Sequence, residues 1–200
     1  YRLLIIFFSP LIAIFVLYRA FTGKEELKHL SQRLGFASLI RPQNKKLIWL
    51  HGASVGESVA AIGLIKKLID LYPSYQFLLT TGTVTAARLV KNKMPINVIH
   101  QYIPLDVSFC TKRFMNYWSP QVAIFIDSEI WPNILDDASK KCPIILANAI
   151  ISDSSVIKWS LLNSWSREIF SKFSLILAQD QANVEKFLKL GAQNIINAGS

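Results

Sequence analysis

Short, uninterrupted apolar runs alternate with amphipathic segments from residue 46 to the end of this chain, and that alternation leaves few folds open. The runs predict strands over 46–50, 76–80, 97–103, 122–126, 143–147, 174–178 and 194–198. Between them, apolar residues recurring at three- and four-residue spacing predict helices over 57–71, 84–91, 109–117, 132–140, 158–173 and 181–190. Pro132 suits a first helical position, and Gly191 lies where a helix C-cap is expected. Strands that are apolar throughout, rather than on alternate residues, are covered on both faces. The expectation is therefore an α/β fold: a Rossmann-like parallel sheet with helices on both faces, occupying 46–200.

A different pattern precedes it. Residues 3–18 carry no charge. As a helix they would measure about 24 Å at 1.5 Å per residue, against a hydrocarbon core of about 30 Å. A signal peptide should end in small residues, and Tyr18-Arg19-Ala20-Phe21 does not. The run is apolar all round, unlike a core helix with its polar stripe. Residues 1–21 are therefore expected to form an apolar membrane anchor helix, either spanning or, with Pro10 kinking it, lying in the interface. Arg19, Lys24, Lys28, Arg33 and Arg41 follow, opposed by Glu25 and Glu26, which places the next domain on the cytoplasmic side. Residues 22–45 read as a polar linker. Neither terminus resembles a natural end, so the chain is expected to be part of a longer protein.

Charge and cysteines narrow the partners. The chain has 22 basic and 13 acidic residues and a net charge of +9, which suits an anionic partner such as a phosphorylated lipid, an acidic membrane, a nucleotide or a nucleic acid. Cys110 and Cys142 stand alone, without metal-type spacing, and agree with a reducing compartment.

In a parallel α/β sheet, ligands bind beyond the carboxyl ends of the strands. The segments found there are informative. The first is His51-Gly52-Ala53-Ser54-Val55-Gly56-Glu57. Its small residues permit close backbone approach, and His51, Ser54 and Gly56 are candidate substrate contacts. Glu57 is either a base or a favourable first-turn charge. The second segment contains Thr81 and Thr83, whose hydroxyls suit sugar or phosphate oxygens or a helix cap. The fourth is Asp127-Ser128-Glu129-Ile130-Trp131-Pro132-Asn133. Two carboxylates after a buried strand need partners or a task; they could cap the next helix or present oxygens to Mg²⁺ or Mn²⁺. Asn148 follows the fifth strand. Glu57, Asp127 and Glu129 thus share one rim, where a carboxylate base and a second acid suit deprotonation of a hydroxyl nucleophile.

This series resembles the 3-deoxy-D-manno-octulosonic acid (Kdo) transferase family along essentially the whole chain. The resemblance is carried by Trp49-Leu50-His51-Gly52-Ala53-Ser54-Val55-Gly56-Glu57, Tyr102-Ile103-Pro104-Leu105-Asp106, Ser128-Glu129-Ile130-Trp131-Pro132-Asn133, Asn148-Ala149, Ala178-Gln179 and Leu190-Gly191-Ala192. It implies the N-terminal, acceptor-binding half of a GT-B glycosyltransferase. The family's donor domain, for a CMP-linked sugar, would lie beyond this chain, so the chain alone is expected to be inactive. By the same resemblance Glu57 is the general base and Glu129 supports the transition state. His51, Ser54, Gly56, Thr81, Thr83, Asp127, Ser128 and Asn148 are the expected substrate-binding residues. The reaction is expected to be inverting transfer of Kdo from CMP-Kdo to a lipid A precursor, at the cytoplasmic face of a bacterial inner membrane. No metal, no further cofactor and no nucleic acid are expected. Two readings remain beside it: a membrane-attached module that binds anionic lipid without catalysis, and a metal-dependent nucleotide-sugar transferase using Asp127 and Glu129. Four positions depart from the family pattern: Asp127 for Glu, Ile150 for Arg, Ser200 for Asn, and Gly82 within the threonine run.

Overall fold

A computed structural model describes residues 22–23, 25–37 and 39–199; the expected anchor over 1–21 lies outside them. Seven parallel strands form one sheet: β1 (Leu47–Gly52), β2 (Gln76–Thr81), β3 (Val98–Tyr102), β4 (Val122–Ile126), β5 (Ile144–Ala149), β6 (Leu175–Ala178) and β7 (Ile195–Asn197). Their spatial order is β3-β2-β1-β4-β5-β6-β7. The expected Rossmann-like sheet is present, and its central strands β1 and β4 carry consecutive apolar residues because both of their faces are covered. Leu47 and Trp49 enter one core with Phe114, Trp118, Phe125 and Phe170. Ile48 and Leu50, one residue out of phase, enter the other with Ile62, Ile65, Phe77 and Leu79. Each such side chain contributes about 1.5–3 kcal/mol by leaving water.

The first core is covered by α4 (Ser108–Trp118), α5 (Pro132–Ser139), α7 (Asn163–Phe170) and α8 (Gln181–Lys189). The second is covered by α2 (Val55–Leu71) and α3 (Val84–Lys93). The helix expected over 158–173 is two helices, α6 (Asp153–Ser160) and α7. Ser152 caps α6 by accepting from the Ser155 N–H, so the helix begins earlier than its apolar stripe. The chain turns at Leu161 and Leu162, bringing Trp159 and Trp165 within 5.5 Å, and Trp159 packs on Phe170.

The segment expected as a linker docks on the domain. A 3-10 turn (Leu27–His29) leads into α1 (Leu30–Arg33). Gln32 Oε1 accepts from the Tyr102 N–H at 2.7 Å, which caps the edge strand β3. Residues 34–37 and 39–41 then run along α4. Arg113 donates to the Leu34 carbonyl at 2.7 Å and lies over the Phe36 ring, and the Tyr117 hydroxyl donates to the Leu39 carbonyl at 2.9 Å. We call residues 25–41 the strap. Among the described residues, no helix is long and apolar enough to cross a membrane.

The topology fixes where a ligand can enter. β1 pairs with both β2 and β4, so the chain leaves β1 in one direction and β4 in the other. The loops after these two strands diverge and leave a crevice at this switch point.

Candidate active site

One wall of the crevice is the turn from β1 into α2. Gly52 is required there: a Cβ would stand 2.7 Å from the Glu57 carbonyl carbon and 2.8 Å from the Ser58 nitrogen. That close approach lets the Ser58 hydroxyl donate to the Gly52 carbonyl at 2.9 Å and presses the start of α2 onto the strand end. Ser54 and Glu57 form a capping box. Glu57 Oε2 accepts from the Ala53 N–H at 2.7 Å and the Ser54 N–H at 3.3 Å, and Oε1 accepts from the Ser54 hydroxyl at 2.7 Å. A carboxylate offers about four lone-pair sites. Three are occupied, and the fourth, on Oε1, remains for a further donor. Both expected uses of Glu57 therefore fit one geometry: the cap fixes the carboxylate and leaves it one acceptor site. A Cβ on Gly56 would meet only the Ser54 hydroxyl, at 4.0 Å, so the surface beside the cap is open.

The other wall is the turn after β4. Glu129 Oε2 lies 3.4 Å from His51 Nε2 and accepts from the Trp131 indole N–H. The His51 ring is fully buried (0% exposed), edge-on to Phe125, with Nδ1 3.0 Å from the Thr80 hydroxyl. That hydroxyl also accepts from the Trp49 indole at 2.9 Å. No well-aligned hydrogen bond reaches His51 Nε2, which faces the Glu129 carboxylate. Burial raises the Glu129 carboxyl pKa; His51 and the Trp131 N–H more than offset this and hold it below the usual carboxylate value. Glu129 is thus ionised at neutral pH. Because its folded pKa is depressed, its contribution to stability is present above the unfolded value and lost as pH falls through the folded one. His51, expected as a substrate contact, is fully buried beside Glu129. Replacing it with Leu removes the offsetting group and leaves the burial. The Glu129 pKa should then rise, visible as an upward shift in a carboxyl NMR titration of His51→Leu against the parent.

The remaining expected residues divide. Asp127 and Asn148 end the neighbouring strands β4 and β5, both with left-handed backbones (φ 64° and 57°), and the Asn148 amide donates to Asp127 Oδ1. Such conformations cost on the order of 1 kcal/mol and gather at functional sites. Ser128 is exposed beside them. Thr83 caps α3 by accepting from the Ala86 N–H at 3.2 Å, the commoner use of such a residue. Thr81 is fully buried, and its hydroxyl meets His100 Nε2 at 3.0 Å. Burial, reinforced by nearby His29, pushes His100 down to about 4, so that ring is neutral and can accept from Thr81. Ile150, at the position of the expected Arg, is 41% exposed. Among the described residues no three His, Cys, Asp or Glu side chains gather as a metal-ligand set.

Two residues that position the site were not legible in the sequence. Asp106 supplies the cap that α5 lacks: its carboxylate accepts from the Asn133 N–H at 3.1 Å and the Ile134 N–H at 2.8 Å. It thereby pins the chain just after Glu129. Asp106→Ala should lower stability by about 1–2 kcal/mol, read as a reduced urea midpoint. The other is Arg33. Its guanidinium holds Glu25 through both carboxylate oxygens at 3.0 Å and donates to the carbonyls of Gly82 at 2.6 Å and Ile103 at 3.0 Å. Gly82 in turn donates to the Ala53 carbonyl at 3.1 Å, and a Cβ there would stand 3.0 Å from Ala53 Cβ. Arg33 thus braces, through Gly82, the residue whose N–H holds Glu57.

The family pattern described as 3-Deoxy-D-manno-octulosonic-acid transferase (kdotransferase) matches residues 28–200. A 3-deoxy-D-manno-octulosonic acid transferase of Rickettsia bellii (strain RML369-C) is 35% identical over 191 residues, 96% of this chain and 46% of that protein. A probable mitochondrial one of Arabidopsis thaliana is 38% identical over 179 residues, covering 88% of this chain and 40% of the relative. One from Haemophilus influenzae (strain ATCC 51907 / DSM 11121 / KW20 / Rd) is 33% identical over 195 residues, with 96% and 45% covered. The chain spans less than half the length of each. With the match running from the strap through the last strand, this chain belongs to the Kdo transferase family.

Proposed function

We propose that the chain is the acceptor-binding half of an enzyme that transfers Kdo from CMP-Kdo to a lipid A precursor, with inversion and without a metal. One observation carries this reading. The β1 and β4 turns bring two glutamates to the two sides of the switch point, one capped with a lone pair free and one held ionised. In this reading Glu57 Oε1 takes the proton of the acceptor hydroxyl as that oxygen bonds to the anomeric carbon. The bond from that carbon to the CMP phosphate breaks on the opposite face, and CMP leaves with the electron pair. Glu129, ionised, stabilises positive charge developing on the sugar. The exposed Ser54, Gly56 and Ser128 lie where the acceptor would rest. A second domain would supply CMP-Kdo, and the reaction would occur at the cytoplasmic face of a bacterial inner membrane.

The test uses the full-length protein in detergent with CMP-Kdo, a tetra-acylated bis-phosphorylated lipid A precursor and excess chelator, read by mass spectrometry. A product heavier by Kdo is expected. Loss of product on chelation would sink the metal-free reading. Ile150 favours a second reading, a lipid-binding module without catalysis, because an apolar side chain cannot bind an anion bidentately as Arg does. Binding of the lipid with no transfer, restored by Ile150→Arg, would be its signature.

A further inference from the structure

A cavity of about 630 Å³ lies away from the crevice, between the strap, α3 and the edge strand β3. β3 is separated from β1 by β2, so at about 4.8 Å per strand the cavity is a distinct place in the fold. Its polar wall is basic: Lys28 and His29 from the strap, Arg88 and Lys91 from α3. Leu39 and Met94 make an apolar wall. Among the described residues neither Lys28 nor Lys91 has an acidic partner, whereas Glu26 is already shared: it lies 3.5 Å from His29 and 4.0 Å from Arg88 and accepts from the Tyr102 hydroxyl at 3.3 Å. One carboxylate is therefore set against three permanent cations. The strap that walls the cavity also presents apolar side chains to solvent, with Leu27 64%, Leu39 53% and Ile40 87% exposed. Basic side chains around a concave site, beside exposed apolar residues on one segment, match the two ends of an anionic lipid: a phosphate and an acyl chain.

We propose that this cavity binds the phosphate headgroup of an anionic membrane lipid, while the apolar residues of the strap enter the bilayer interface. Lys28 and Lys91 supply the direct charge, and Arg88, held lightly by Glu26, swings to the ligand. The proposal stands apart from the catalytic reading, since no residue in it belongs to the crevice. The strap also carries Arg33, so a lipid seated here would stiffen the same segment that braces the Glu57 turn.

The full-length protein is placed in phosphatidylcholine nanodiscs, with or without phosphatidate, and acetylation rates of individual lysines are measured. Phosphatidate should slow Lys28 and Lys91 roughly fivefold, the effect of about 1 kcal/mol per basic contact. Lys66 and Lys67, exposed on α2, should not change. Arg88→Glu should remove the protection; Arg88 is 74% exposed in side chain, and unchanged circular dichroism would show that the fold is kept. Equal slowing of all four lysines would mean unspecific attraction and overturn the site, as would no slowing. Glycerol 3-phosphate in phosphatidylcholine discs should give no protection; full protection by it would replace the lipid by a soluble phosphate ester.

Discussion

Full-length Glu57→Gln should fold like the parent and lose activity by a factor of about 10²–10⁴, the usual contribution of a positioned general base. The two outcomes separate because of the capping box. Gln serves at the third helical position as Glu does, so its carbonyl oxygen can keep the Ala53 and Ser54 N–H groups. Its amide nitrogen can donate to the Ser54 hydroxyl in place of the present bond. What the amide cannot do is accept a proton. Glu57→Ala is the poorer variant, because it also opens the cap at a cost of about 1 kcal/mol and confuses a loss of base with a loosened turn. The loss should fall on kcat, with acceptor binding kept. If Glu57→Gln retained more than a small fraction of the parent rate, the free lone pair on Oε1 would have no role in the chemistry, and Glu57 would be a cap alone.

The sheet was legible because burial on both faces leaves a signature in consecutive residues. Leu47 to Leu50 need no distant information to be read as a strand. Glu57 reads as a first-turn charge from its position alone, while its pairing with Ser54 in a capping box, although local, goes unread. What the sequence does not display is whatever depends on partners far along the chain. The break at Leu161 and Leu162 carries no Gly or Pro, and it arises from how Trp159 and Trp165 pack together. His51 looks like a loop ligand beside two small residues. It is buried because Phe125 and Glu129, more than seventy positions later, close over it. Asp106 caps a helix that begins well downstream in sequence, where no local pattern could announce it. The strap read as a linker because its polar residues look solvated until their partners are known.

Arg33 is the sharpest case of that dependence, and its removal should have the largest effect on stability. The guanidinium and the Glu25 carboxylate are both nearly out of reach of solvent. Arg33→Ala leaves that carboxylate buried without its guanidinium, which costs about 3–5 kcal/mol. That is a large share of the roughly 5–15 kcal/mol that holds a typical domain together. It should appear as a marked fall in the urea midpoint. The double variant Arg33→Met with Glu25→Leu distinguishes two accounts of the loss. If the pair alone mattered, exchanging both ions for apolar groups would restore stability, because buried ion pairs are often no better than well-packed hydrophobes. Arg33 also satisfies the Gly82 and Ile103 carbonyls, which the double variant leaves without that donor. Recovery should therefore stop short by about 1–3 kcal/mol. Full recovery would show that those two bonds hold nothing. A partial one would locate the residual loss at Gly82, whose N–H bonds to the Ala53 carbonyl, and so at the turn that aims Glu57.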